Sequence, residues 1–94
     1  MIQLLVRHKV KDYSKWKPVF DEHGAKRKAG GSKGGRLFRS GSDPNEVVIL
    51  FEWEDLAKAR QFAESEDLRQ AMGRAGVVGK PDLYFLEEVE KFGV

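Results

Sequence analysis

Five consecutive apolar residues, Val47-Val48-Ile49-Leu50-Phe51, lie between Glu46 and the run Glu52-Trp53-Glu54. They are rich in β-branched and aromatic side chains and far too few to cross a bilayer, so they read as a strand closed on each side by acids. Side chains alternate along a strand, and this one therefore presents apolar groups to both faces of its sheet. A strand covered on both faces needs two layers over it. One small domain with two helices supplies a single layer, and the second is expected from another chain.

The remaining composition narrows the class. Ninety-four residues are expected to form one domain, residues 1–94, burying roughly two-thirds of the unfolded surface. Lys and Arg total 17 against 15 Asp and Glu, an excess too small to indicate a nucleic-acid partner. Cysteine is absent, which removes disulfides, thiolate metal sites and cysteine nucleophiles and fits a reducing, cytoplasmic location. The opening Met1-Ile2-Gln3-Leu4-Leu5-Val6 has no basic segment before it and soon meets Arg7-His8-Lys9, so it reads as a first strand and not as a signal peptide. No run is long enough for a membrane span.

In chain order, Ile2 to Val10 alternates as a strand, with Ile2, Leu4, Val6, His8 and Val10 on the better core face. Asp12 can cap the next helix, along which Tyr13, Trp16, Val19, Phe20, His23 and Arg27 form one stripe. Pro18 lacks an amide proton, so a separate turn is expected from Asp12 to Trp16, with the main helix starting at Lys17 or Pro18 and ending near Ala29. Gly30-Gly31-Ser32-Lys33-Gly34-Gly35 reads as a flexible connector to strand two, Arg36 to Ser40. Gly41-Ser42-Asp43-Pro44-Asn45 is turn chemistry and predicts an antiparallel hairpin with the central apolar strand.

Asp55 can cap a second helix with Leu56, Ala59, Phe62 and Ala63 inward, and Ser65-Glu66-Asp67 marks a second start. This region is either one kinked helix or two short ones, with Leu68, Met72 and Ala75 on its apolar stripe and Gly73 and Gly76 at its end. Gly79-Lys80-Pro81 reads as a turn before a last strand, Asp82 to Glu90, and Lys91 to Val94 as a tail. The order β-α-β-β-α-β is the split βαβ arrangement, an α+β fold with a four-stranded antiparallel sheet and helices on one face. Its open face is too apolar for water and predicts a homodimer through the sheet. RNA-binding domains of this topology also use that face, but their basic-glycine-aromatic signature is missing.

The element order, the Asp12-Tyr13…Trp16 helix start, the Asp43-Pro44-Asn45-Glu46 hairpin and the strand end Phe51-Glu52-Trp53 together resemble the antibiotic-biosynthesis-monooxygenase-like proteins. The resemblance spans Ile2 to about Glu90. It implies ferredoxin-like protomers paired into a dimeric α+β barrel, each with a pocket between sheet and helices. It also implies oxidation of quinol- or anthrone-like polyphenols by oxygen with no metal or flavin cofactor, or a cyclase-like reaction on a polyketide-type compound. A related branch binds and degrades haem, and a non-catalytic small-molecule-binding dimer is the remaining alternative. Relatives typically place Asn, Trp, Tyr or His in the pocket; the one asparagine here, Asn45, falls in a turn.

His23, on the apolar stripe of the first helix, is the candidate catalytic base, since imidazole titrates near neutrality; alternatively it is a partly buried histidine bonded to backbone. His8 either lines the same pocket or marks a strand end. Trp53 and Trp16 are candidate platforms for a flat ligand or else core. Tyr13 and Tyr84 each offer a phenol, and Arg36, with Arg39, can meet an anionic ligand or acids across the interface. No metal site is expected, because His8 and His23 lack a third ligand at a fixed spacing. The glycine run is not a Walker loop, since it follows no strand and has no Lys-Ser/Thr pair. The acids Glu52, Glu54, Glu87, Glu88 and Glu90 read as solvated strand ends, and no serine sits in a nucleophile elbow. Lys15, Lys17, Lys26, Arg27 and Lys28 read as a solvated helix face offset by Asp12, Asp21 and Glu22.

Overall fold

Strand β1 (Ile2–Val10) lies at the middle of the molecule, and the computed structural model describes residues 2–94 around it. It is followed by α1 (Tyr13–Glu22), α2 (Gly24–Gly30), β2 (Ser32–Arg39), β3 (Glu46–Trp53), α3 (Leu56–Ala63), α4 (Glu66–Ala75) and β4 (Val77–Glu87). The sheet order is β2-β3-β1-β4, every neighbouring pair antiparallel, which is the ferredoxin-like α+β arrangement. No helix among the described residues is long and apolar enough to cross a membrane.

Strand parity sorts the side chains into two layers. Leu4, Val6, His8 and Val10 of β1 and Val47, Ile49, Phe51 and Trp53 of β3 are buried beneath the helices. Trp16, Ala59, Phe62 and Ala75 close this core from the helix side. The helix layer stops short of β4, where Leu83 and Phe85 stay exposed. The opposite face carries Leu5, Val48 and Leu50, half-buried, and Phe38, Tyr84 and Leu86, exposed, with no helix over them. The register turns Leu37 and Phe85 toward the helices and Phe38 and Tyr84 toward the open side.

Several local expectations are corrected. Helix α1 begins at Tyr13 and runs through Pro18 without a separate first turn. The carbonyl that Pro18 cannot satisfy belongs to Ser14, which is exposed, so water can take that bond. The Asp12 carboxylate accepts from the Ser14 amide at 3.0 Å, a cap strong enough to start the helix there. The helix then breaks at His23, which closes α1 through its amide to Val19 O (3.1 Å) and opens α2 by accepting from the Lys26 and Arg27 amides. Downstream, α3 and α4 are separate helices, Ser65 capping the second through Leu68 N at 3.1 Å. Leu56 is exposed at the first position of α3, and Gly73 lies inside α4 with Gly76 (φ 80°) as its cap.

The glycine run is ordered, not a free connector. Gly31, at φ 111°, caps α2, and β2 already starts at Ser32 with a bulge at Gly34. Gly35 pairs with Phe51, and a Cβ there would stand 2.2 Å from Leu50 O, so no other residue fits without moving the backbone. Gly79-Lys80-Pro81 is likewise inside a strand: β4 starts at Val77, pairs Val78 with Lys9 and Asp82 with Arg7, and bulges between them. The strand ends at Glu87, so the tail begins at Glu88 and not at Lys91.

Candidate functional site

Between the helices and the sheet lies an apolar cleft whose wall includes Val6, His8, Trp16, His23, Phe62 and Met72. Its interior amounts to about 60 Å³, room for a few water molecules. Ligand pockets for drug-sized molecules begin at about 300 Å³. A ring can be received only if wall side chains such as Met72, or Arg27 stacked on Phe20, give way. A haem macrocycle does not fit a space of this size between sheet and helices.

His8 reaches the cleft because β1 alternates, placing it on the helix face beside Val6 and Val10. Its strand partner on β3 is Val47, while on the β4 side it faces the bulge. The ring is 5% exposed and meets Trp16 edge to face, centroids 5.7 Å apart. Neither ring nitrogen has a hydrogen-bond partner in the protein. Burial lowers its pKa from 6.5 to about 4, so the imidazole is neutral at physiological pH, with one N–H to donate and one lone pair to accept.

His23 stands at the helix break, 8% exposed, its ring 6.0 Å from that of Phe62. Its Nε2 is buried and unpartnered. Burial, with the nearby Arg27 cation as the next cause, lowers its pKa. Trp16, held between the Tyr13 and Phe20 rings, forms the aromatic side of the cleft.

The structure therefore brings His8, from the sheet, and Trp16 and His23, from the helix layer, to one cleft and leaves Trp53, Tyr13 and Arg36 elsewhere. Trp53 is wholly buried behind Phe62, because the end of β3 is roofed by α2 with Gly30 against its ring. Tyr13 starts α1 outside the cleft under the Arg39 guanidinium, 4.5 Å from its ring centre. Arg36 is opposite Leu50, and parity assigns it to the open face of the sheet, where it borders a groove with Gln3, Leu50 and Glu52. Sequence reading passed over Arg27 as part of a solvated face, although its place on the aromatic stripe was the available signal. Asn45 is structural: its Oδ1 accepts from Tyr13 N at 3.1 Å and its carbonyl from Val10 N at 2.8 Å.

The depressed His8 pKa has a measurable consequence. An imidazole that protonates at about 4 in the fold and at about 6.5 when unfolded leaves the unfolded chain with more bound protons in between. Stability is then full above the unfolded value and falls as pH drops through this window. The His8 contribution lost between about pH 7.5 and about pH 5 is on the order of 2 kcal/mol. Urea denaturation should show this acid slope in the wild type and a flatter one in His8→Leu. Parallel slopes would mean that His8 is not held neutral.

No protein-family profile matches the sequence, and no curated protein matches it significantly. Solved structures do. A proposed antibiotic biosynthesis monooxygenase from Bordetella bronchiseptica superposes with a TM-score of 0.81 at 17% identity, over 95% of this chain and 97% of that one. A structure described as an antibiotic biosynthesis monooxygenase gives 0.73 at 18%, over 96% and 100%. SnoaB, a cofactor-independent oxygenase from Streptomyces nogalater, gives 0.72 at 16%, over 94% of each chain. At such identities what is shared is the architecture: the chain has the ferredoxin-like fold of the antibiotic-biosynthesis-monooxygenase-like proteins.

Proposed function

We propose that the cleft binds a small flat aromatic or polyketide-type compound bearing a phenol or enol, and that the protein acts on it as a cofactor-independent monooxygenase-like or cyclase-like enzyme. The observation that carries this reading is His8, a buried neutral imidazole with both nitrogens unpartnered in the wall of an apolar cleft. Buried polar groups in folded proteins normally find a partner, and an orphaned pair beside a cleft is where a ligand would supply one. The bond from a ligand hydroxyl to the His8 lone pair sets up proton removal. A base with a pKa of about 4 is weak toward a free phenol. Inside the cleft the imidazolium and the anion so formed attract each other, but burial penalises both, so proton removal by His8 favours an acidic enol over a simple phenol. His23 offers a second orphaned nitrogen, and the Trp16 ring a surface for the flat ligand.

In the oxygenase form of this reading, dioxygen attacks the ring carbanion that deprotonation creates. A ring methylene becomes a carbonyl, taking one oxygen atom, and the other leaves as water. Oxygen uptake with an anthrone and hydroquinone panel tests it. His8→Gln should slow the wild-type rate by about 10²-fold or more, the usual worth of a positioned general base, and His23→Ala by less. Equal rates in wild type and His8→Gln would remove His8 from the chemistry. Ring binding without oxygen uptake by the wild type would leave the non-catalytic binding dimer.

The same reading includes a homodimer closed through the open sheet face. Leu5, Val48, Leu50, Phe38, Tyr84 and Leu86 are neighbours on that face with no helix over them, an apolar surface suited to a partner. An edge-free pairing of two such faces about a two-fold axis would bury it and give the α+β barrel.

A further inference from the structure

We propose that the ligand of this cleft carries an anionic group, a carboxylate or an equally acidic enol, that pairs with Arg27, and that it arrives along the groove between α2 and the glycine segment of β2. The inference rests on the cleft being a ligand site and names the chemical class of that ligand.

Arg27 is half-buried, its guanidinium carbon over Phe20 at 4.0 Å from the ring centre and 5.8 Å from that of Phe51. Of its five N–H groups, one on Nη1 donates to Phe20 O at 2.8 Å. Among the described residues no carboxylate lies within ion-pairing distance of it. Of the cations nearby, Lys17 is matched with Asp21, Lys26 with Asp67 and Lys33 with Glu54, while Lys28 is exposed and unpaired among the described residues. Asp21, the acid that acts on Arg27 through space, gives both oxygens to Lys17 at 2.7 and 2.8 Å. Desolvation pulls the Arg27 pKa below its ordinary value, so the charge is held against a real cost. A cation desolvated to this extent without a carboxylate is an unmet demand for an anion.

Its position fits that role. Arg27 borders three connected spaces: the apolar cleft, a groove of about 220 Å³ beside Ser32, Gly34 and Gly35, and an outer mouth beside Lys28 and Lys33. Phe20, Arg27, Ile49 and Phe51 wall both the cleft and the groove, so the Arg27–Phe20 stack is the partition between them. Gly34 borders this groove with no side chain, and a Cβ there would meet nothing within 4 Å. An anion drawn in past Lys28 would meet the fork of Arg27, lift it from Phe20 and let its ring through to Trp16 and His8. Planar bidentate pairing with a carboxylate is what a guanidinium does best.

Fluorescence titration of the wild-type protein with a hydroxynaphthoate and with the corresponding naphthol tests this. The carboxylated compound should bind roughly 10- to 100-fold more tightly, the worth of a charged hydrogen-bonded pair. Arg27→Gln should erase that advantage, and Arg27→Lys, which keeps the charge but not the fork, should retain part of it. Equal affinities in the wild type, or a preference that survives Arg27→Gln, would overturn the inference while leaving the cleft as a ligand site. Failure of both compounds to bind would overturn it together with the reading of the cleft. Carboxylate-selective binding without oxygen uptake would keep it and remove only the catalysis.

Discussion

Replacing Trp53 with alanine is expected to cost about 3–5 kcal/mol of stability, the range for deleting a large aromatic from a packed core. The side chain is wholly buried, lies 4.8 Å from the Phe62 ring, and closes the end of β3 between Ile2 on one side and Ser32 on the other. Alanine leaves a void bordered by α2, where Gly30 already approaches the indole closely and cannot collapse further without moving the helix. Phenylalanine should be far milder, at about 1–2 kcal/mol, because it refills most of the volume and deletes an indole N–H that has no partner. Urea denaturation of the two variants measures both. A loss below about 1 kcal/mol for Trp53→Ala would mean that the ring is not a core element.

Leu50→Glu should weaken the proposed homodimer by more than about 10³-fold in Kd, since burying an unpaired carboxylate costs several kcal/mol and a two-fold interface receives it twice. Leu50 sits near the centre of the open face, between Leu5 and Arg36. It is only half-buried in the protomer, so the fold should survive the change. Sedimentation velocity over a range of concentrations would then show a wild-type dimer and a folded monomeric variant. A wild type that stays monomeric at high concentration would remove the barrel altogether.

The sheet was legible from the sequence because its signals are side chains at period two. Leu4, Val6, His8 and Val10 alternate with Leu5, Arg7 and Lys9, and the structure places the first set inside. The caps at Asp12, Asp55 and Ser65 were legible for a similar reason, a short acceptor just before an apolar stripe. What misled was residue chemistry shared by two structures. Gly30 to Gly35 and Gly79-Lys80-Pro81 carry the residues of turns, but bulged strands use them too, and glycine offers no periodicity to tell the two apart. Pro18 stopped the helix on paper because propensity ignores whether the orphaned carbonyl is wet. In the site, His23 drew attention through its stripe, yet the lack of any partner for His8 depends on what packs around it. The solitary charge of Arg27 is a fact about where acids are not, which no local pattern encodes.

The strand order has a consequence for synthesis. β1, made before the other three strands, pairs from Ile2 through Val10 with β4, made after them, from Glu87 back to Val77. A nascent chain can zip β2 to β3 early, but until residues 77–87 emerge, one edge of β1 stays open to other chains. Translation of this protein thus includes an interval in which that edge is a template for pairing with other chains. Proteolysis that removes β4 would restore that hazard in the finished molecule.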